Sequence, residues 1–146
     1  MMKKAIFLVL ACALLLPVTW CGEKNYNDGT FTGQSAVYEN EDGSSEGNGY
    51  GVAVVTIQDG KISDCSFETF EPDGTKKGVD YGKEGGTVAN KDYYNKAQKA
   101  VAACDEYASM LVANGELKGI DAISGATINY NQFEEAVELA LEEAKE

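Results

Sequence analysis

Neither histidine nor arginine occurs in this chain of 146 residues. Without histidine, Ser-His-Asp triads, His-containing zinc sites and the usual imidazole acid-base chemistry are excluded. Positive charge is scarce: twelve Lys face twenty-four Asp plus Glu, for a net charge of −12. Nucleic acid is therefore no partner, because phosphate backbones need cationic patches. The length suffices for one domain and one hydrophobic core, with little left for a second. With so few catalytic residue types available, any chemistry is expected to belong to a cofactor.

The one long apolar run is Ala5 to Leu16, preceded by Lys3 and Lys4. It is short for a bilayer span and has the form of the h-region of an export signal, so residues 1–20 are set aside from the fold. The following Pro17-Val18-Thr19-Trp20-Cys21-Gly22 resembles the lipobox of bacterial lipoproteins, in which the Cys becomes the lipidated first residue. Trp20 departs from the small residue usual before that Cys, and an uncleaved signal anchor is the competing reading. Either arrangement puts the domain outside the cytoplasm, tethered to a membrane. Loss of residues 1–20 removes two Lys and no acid, taking the net charge from −12 to −14. An anionic headgroup surface would repel such a domain, and the polar residues 21–27 read as a tether holding it at a distance. The domain proper is expected over 28–146.

Of the four cysteines, Cys12 lies in the signal and Cys21 is the lipidation candidate, which leaves Cys65 and Cys104. Export permits a bridge between them, but no local spacing demands one, and buried thiols are the favoured reading.

The remaining chain reads as an α+β domain: a small antiparallel sheet packed with a long helix and a C-terminal helix. A first strand is expected over Phe31 to Tyr38, followed by a loop over Asn40 to Gly49. Tyr50 to Gln58 and Lys61 to Phe70 are β-rich runs joined by Asp59-Gly60, the signal of a type I′ hairpin. Val52, Val54 and Thr56 alternate with Ala53, Val55 and Ile57. Two mostly apolar faces imply a central strand covered on both sides. Pro72 to Asn90, rich in Gly and Lys, reads as a long loop or lid.

Lys91 to Ala113 has helical periodicity through Ala97, Ala100, Val101, Cys104, Ala108, Leu111 and Val112, and Asn114-Gly115 ends it. A second amphipathic pattern follows, with Phe133, Ala136, Val137, Ala140, Leu141 and Ala144 opposite Glu134, Glu135, Glu138, Glu142 and Glu143. Its start is expected at a capping pair, Asn129 with Gln132 or Asn131 with Glu134. The acidic face is read as a solvated back. No internal repeat is visible.

Between the helices lies Asp121-Ala122-Ile123-Ser124-Gly125-Ala126-Thr127. A turn at a helix entrance offers unpaired N–H groups and the positive end of the helix dipole, which favour an anion such as phosphate. Gly125 and Ala126 allow close backbone approach, and Ser124 and Thr127 supply hydroxyls. Nothing in the chain can serve these hydroxyls as a histidine base, so covalent modification of Thr127 would require another protein. Tyr50, Tyr81, Tyr93, Tyr94 and Tyr130 lie in loops or at element ends within reach of a flat ligand, although each singly reads as ordinary packing. Lys76, Lys77 and Lys83 could bind a phosphate or steer an anionic partner, but the favoured expectation is solvated charges in a mobile loop.

These residues resemble the FMN-binding domain family, which includes flavoprotein subunits of the sodium-pumping NADH:quinone oxidoreductase and of the related Rnf-type complex. The family's motif, D-x-x-S/T-G-A-T, is complete in Asp121, Ser124, Gly125, Ala126 and Thr127. The likeness extends to Asp28-Gly29-Thr30-Phe31-Thr32-Gly33, to Asp59-Gly60-Lys61-Ile62 and to the last helix. In length the chain is similar to the small exported lipoprotein members. The resemblance implies FMN attached by a phosphoester to Thr127 in the turn before the last helix, with Asp121 and Ser124 to Ala126 as recognition and phosphate-cradling positions. It also implies a separate flavin transferase, a redox donor, and an acceptor such as a reductase or quinone-linked protein. The implied role is a membrane-anchored extracytoplasmic electron carrier rather than a stand-alone enzyme. The alternative is a surface lipoprotein that uses the same fold as a non-redox binding or adhesion module.

Overall fold

The computed structural model describes residues 26–145. The signal, Cys21 and most of the tether lie outside the described residues. Residues 26 and 27, counted in the tether, belong to the fold: Asn27 N–H donates to Ala144 O at 2.8 Å, and the half-buried Tyr26 packs against the core.

Five elements follow in order: β1 (Gly29–Gln34), β2 (Tyr50–Gln58), β3 (Lys61–Phe70), α1 (Lys91–Asn114) and α2 (Thr127–Glu143). The strands form one antiparallel sheet in the order β1-β2-β3. Asp59 and Gly60 both adopt positive φ, 54° and 74°, as a type I′ turn requires. Asp28 Oδ1 accepts the Gly60 N–H at 2.8 Å and ties the start of β1 to this hairpin tip.

Strand β1 ends earlier than its β-rich sequence suggests. At Ser35 the side-chain hydroxyl, rather than a backbone carbonyl, accepts the Gly51 N–H at 2.9 Å, and regular pairing stops there. An isolated Tyr38–Gly49 bridge is all that resumes.

The expectation of a sheet covered on both faces is corrected. β2 is the central strand, and Ala53, Val55 and Ile57 are buried, whereas Val52, Val54 and Thr56 are only half-buried. Both helices lie on the Ala53 face, α2 across β1 and β2 and α1 against β3. The β-branched residues on the other face satisfy β propensity without a covering layer among the described residues.

Close approach brings α2 onto β1 at Gly33, where a Cβ would lie 1.8 Å from Ala136 O. Tyr107, Leu111, Phe133, Ala136, Val137 and Ala140 have no more than traces of exposed surface and form the centre of the core. Asn90 caps α1 by accepting the Tyr93 N–H at 3.0 Å, and Gly115, at φ 77°, terminates it as the Asn-Gly pair implies. Cys104 is buried, Cys65 is half-buried, and both are free thiols.

The segment 72–90 has no helix or named strand, but it is fastened to its surroundings. Lys77 N–H donates to Thr69 O at 2.8 Å, Gln98 Nε2 donates to Gly78 O and Tyr81 O, and Tyr94 OH donates to Val79 O. Among the described residues no helix is long and apolar enough to cross a membrane.

Candidate functional site

The segment 121–127 forms a tight turn held from behind by two tyrosines. Ile123 O accepts the Ala126 N–H at 2.9 Å, and Gly125 sits at the third turn position with φ 84°, a conformation that suits glycine. The Tyr107 hydroxyl accepts the Ile123 N–H at 2.8 Å and donates to Ala126 O at 3.1 Å. Tyr130 OH donates to Ile120 O at 2.8 Å. Tyr107 is itself fixed by stacking on Phe133, with centroids 5.4 Å apart. Burial raises its phenol above the usual range and keeps it a neutral hydroxyl.

Ala126 turns into the core, while Thr127, the first residue of α2, is exposed. No side chain caps α2, and its first backbone bond runs from Tyr130 N–H to Ala126 O. Three N–H groups, those of Thr127, Ile128 and Asn129, therefore lack partners within the helix and point toward its entrance. The expected capping pairs are corrected accordingly. Asn129 is inside the helix and donates through Nδ2 to Ala100 O at 2.8 Å and to Cys104 Sγ at 3.4 Å. Gln132 donates to Gly49 O at 2.8 Å, and Asn131 and Glu134 lie beyond the first turn.

Beside this entrance opens a cavity of about 350 Å3. Helix α1 lines it with Tyr93, Lys96, Ala97, Lys99, Ala100 and Val101, and Ser124, Gly125 and Asn129 line it from the turn and α2. Glu46, Gly47, Thr69, Lys77 and Tyr81 complete the wall. Three of the twelve lysines thus surround one cavity, with Glu46 as the single carboxylate on its lining. Lys99 lies over the turn: a Cβ on Gly125 would be 3.9 Å from its Cδ and 4.0 Å from its Nζ.

Lys77 is only 4% exposed, which corrects the expectation of a solvated loop charge. Its Nζ donates to Gly47 O at 3.1 Å and lies 4.9 Å from the centroid of the Tyr81 ring. Burial lowers the ammonium to about 8, opposed by the negative charge of Glu71. Tyr81 accepts the Gly47 N–H at 3.2 Å; burial, and then Tyr93, push its phenol up to about 12. Lys76 and Lys83 do remain outside the cavity, paired with Glu68 and Asp80.

Of the residues singled out in the sequence, Ser124, Gly125, Lys77, Tyr81 and Tyr93 meet at the cavity. Thr127 stands exposed at its edge of the fold, and Asp121 is exposed in the link before the turn, neither one on the lining. Tyr50 stacks on Phe70 at 5.4 Å instead. Sequence reasoning missed Tyr107, Lys96, Lys99, Thr69 and Asn129 as parts of the site. Tyr107 was visible as a member of the apolar α1 stripe three residues after Cys104. Lys96 and Lys99, at i and i+3 beside Ala97 and Ala100, were visible as cations bordering that stripe. Among the described residues no group of acids and cysteines is placed to hold a metal ion.

The model of the FMN-binding domain family matches residues 48–142. A comparison with curated proteins finds no match. Among solved structures, the crystal structure of the CPE2226 protein from Clostridium perfringens is similar, with a TM-score of 0.55 and 22% sequence identity. The alignment covers 82% of this chain and 89% of that one, and the likeness is one of fold.

Proposed function

The chain belongs to the FMN-binding domain family, and from that membership we propose that it is an exported, lipid-anchored electron carrier with FMN attached to Thr127 by a phosphoester. The observation that carries the attachment is the uncapped start of α2, where the exposed Thr127 hydroxyl stands beside unpaired N–H groups and the glycine turn.

The residues present fit the cofactor. A cavity of about 350 Å3 with Ala97, Ala100 and Val101 on one wall and Tyr81 and Tyr93 at its border suits a flat conjugated ring. Lys99 brings a cation over Gly125, where a phosphate on Thr127 would need charge compensation. When bound, FMN supplies one- and two-electron chemistry that no side chain of this protein offers. The protein's own part is to hold and tune: Tyr107 and Tyr130 fix the turn, Ser124 and Gly125 border the phosphate position, and the cavity wall limits water.

Attachment requires a flavin transferase, and the proposed location requires export through residues 1–20 and lipidation of Cys21. A redox donor and an acceptor such as a reductase or quinone-linked protein complete the set of partners. Covalent linkage suits an exported protein, because a dissociated cofactor outside the membrane would be lost.

Co-expression with a flavin transferase followed by denaturing electrophoresis tests the reading. Flavin fluorescence in the denatured band, absent from Thr127→Ala, is expected. An unmodified protein made alongside an active transferase would instead favour a non-redox binding module.

A further inference from the structure

Resting on the reading that this cavity takes the flavin ring, we propose that Lys77 sets the reduction potential of the cofactor by presenting a buried cation to the electron-rich edge of the isoalloxazine.

The geometry separates Lys77 from the other two lysines of the cavity. Thr127 is exposed and off the lining, so a phosphate on its hydroxyl stays at the helix entrance, and the ring is the part free to enter. Lys96 and Lys99 stand on the exposed surface of α1, where water and salt screen them. Lys77 is 4% exposed, and at such a position a charge acts through a much lower effective dielectric. Its ammonium has three donors, and among the described residues its one hydrogen bond is to Gly47 O. It forms no ion pair: the lysine–carboxylate pairs among the described residues are Lys76–Glu68 and Lys83–Asp80.

The groups around it leave that charge largely uncompensated. Glu71 follows β3, Glu46 lies in the loop before β2, and Cys104, Tyr93, Lys96 and Lys99 come from α1. Tyr81, Thr69 and Asn129 face it as neutral groups. The chain as a whole carries a net charge of −12, which opposes adding electrons to a bound ring. Lys77 offsets that field locally. It forms and breaks no bond: electrons come from the donor protein, protons from water, and the ammonium keeps its proton throughout.

The test uses wild type, Lys77→Met and Lys76→Gln, each flavinylated by co-expression, with loading read as fluorescence in a denaturing gel and potentials taken by spectroelectrochemical titration near neutral pH. Lys76→Gln removes the same charge from the neighbouring, exposed position. Lys77→Met is expected to lower the preference for reduced over oxidised flavin about tenfold, about 30 mV for a two-electron couple, with a much smaller change in Lys76→Gln. Equal potentials in loaded Lys77→Met and wild type, or equal falls in both variants, would overturn the proposal. A second readout needs no substitution: the Lys77 Nζ, followed by nitrogen NMR, is expected to titrate at higher pH in the reduced protein. Identical titration in both redox states overturns the proposal even if Lys77→Met does not fold. If wild type carries no covalent flavin, the attachment reading fails by itself, and the same potentials are measured with added free FMN. Failure of free FMN to bind overturns both readings.

Discussion

The Tyr107 hydroxyl donates to the carbonyl oxygen of Ala126 at 3.1 Å, so a residue in the middle of α1 holds the one that immediately precedes Thr127. The Tyr107 hydroxyl oxygen in turn accepts the Ile123 N–H, and the phenol therefore closes the turn from inside the core. Tyr107→Phe keeps the ring stacking but strands the Ile123 N–H and leaves Ala126 O with the Tyr130 N–H alone. A loss of about 1–3 kcal/mol is expected in urea unfolding. Flavinylation should slow beyond what the unfolded fraction explains, as read from the time course of gel fluorescence. A variant with wild-type kinetics of attachment would show that the turn needs no support from α1.

Two glycines should respond to alanine very differently. At Gly33 the new methyl would sit 1.8 Å from Ala136 O, and α2 would have to lift from β1. The expected cost is about 3 kcal/mol or more. At Gly125 the nearest atom is Lys99 Cδ at 3.9 Å, so space is available and the cost comes from φ 84°, about 1–2 kcal/mol. Gly125→Ala is therefore expected to stay folded yet accept flavin poorly. Chemical denaturation and gel fluorescence on the two variants separate the effects.

Lys77 also leaves a signature in stability. Its folded value of about 8 lies below its ordinary value of 10.5, so between these limits the unfolded chain binds more protons and stability rises with pH. Below about pH 8 the full penalty of burying the charge applies. Cys65, pushed up to about 12 by burial and then by Asp64, acts in the opposite sense above its ordinary 9.0. The difference between wild type and Lys77→Met cancels the cysteine. That difference is expected to change by up to about 3 kcal/mol across pH 8 to 10.5, with wild type gaining as pH rises. Parallel stability curves would contradict a desolvated lysine.

Much of this architecture was legible in the residues, for physical reasons that differ by element. The β2–β3 hairpin was readable because Asp59-Gly60 dictates a backbone with positive φ at two positions, and the turn sets the first pairs, Gln58 with Lys61 and Ile57 with Ile62, beyond which a bulge shifts the register. Helix α1 was bounded by Asn90 and Gly115, whose caps are local chemistry. The end of β1 was not readable, because Ser35 stops the ladder through Gly51, a residue distant in sequence. The start of α2 was misread for the same reason: Asn129 and Gln132 look like caps, but their amides are claimed by Ala100 and Gly49 across the fold. The motif Ser124 to Thr127 was visible as a string, whereas Lys77 looked like any lysine in a Gly-rich loop. Only the folding of 72–90 against α1 buries it.

Attachment of the cofactor to Thr127 is tested most directly by mass mapping. The chain has no arginine, and Lys118 and Lys145 are consecutive lysines, so trypsin releases 119–145 with the whole motif in one peptide. Fragmentation of this peptide, from protein made with an active flavin transferase, should find flavin mononucleotide on Thr127 and nowhere else. A modification on Ser124, or an unmodified peptide from fully folded protein, would contradict it.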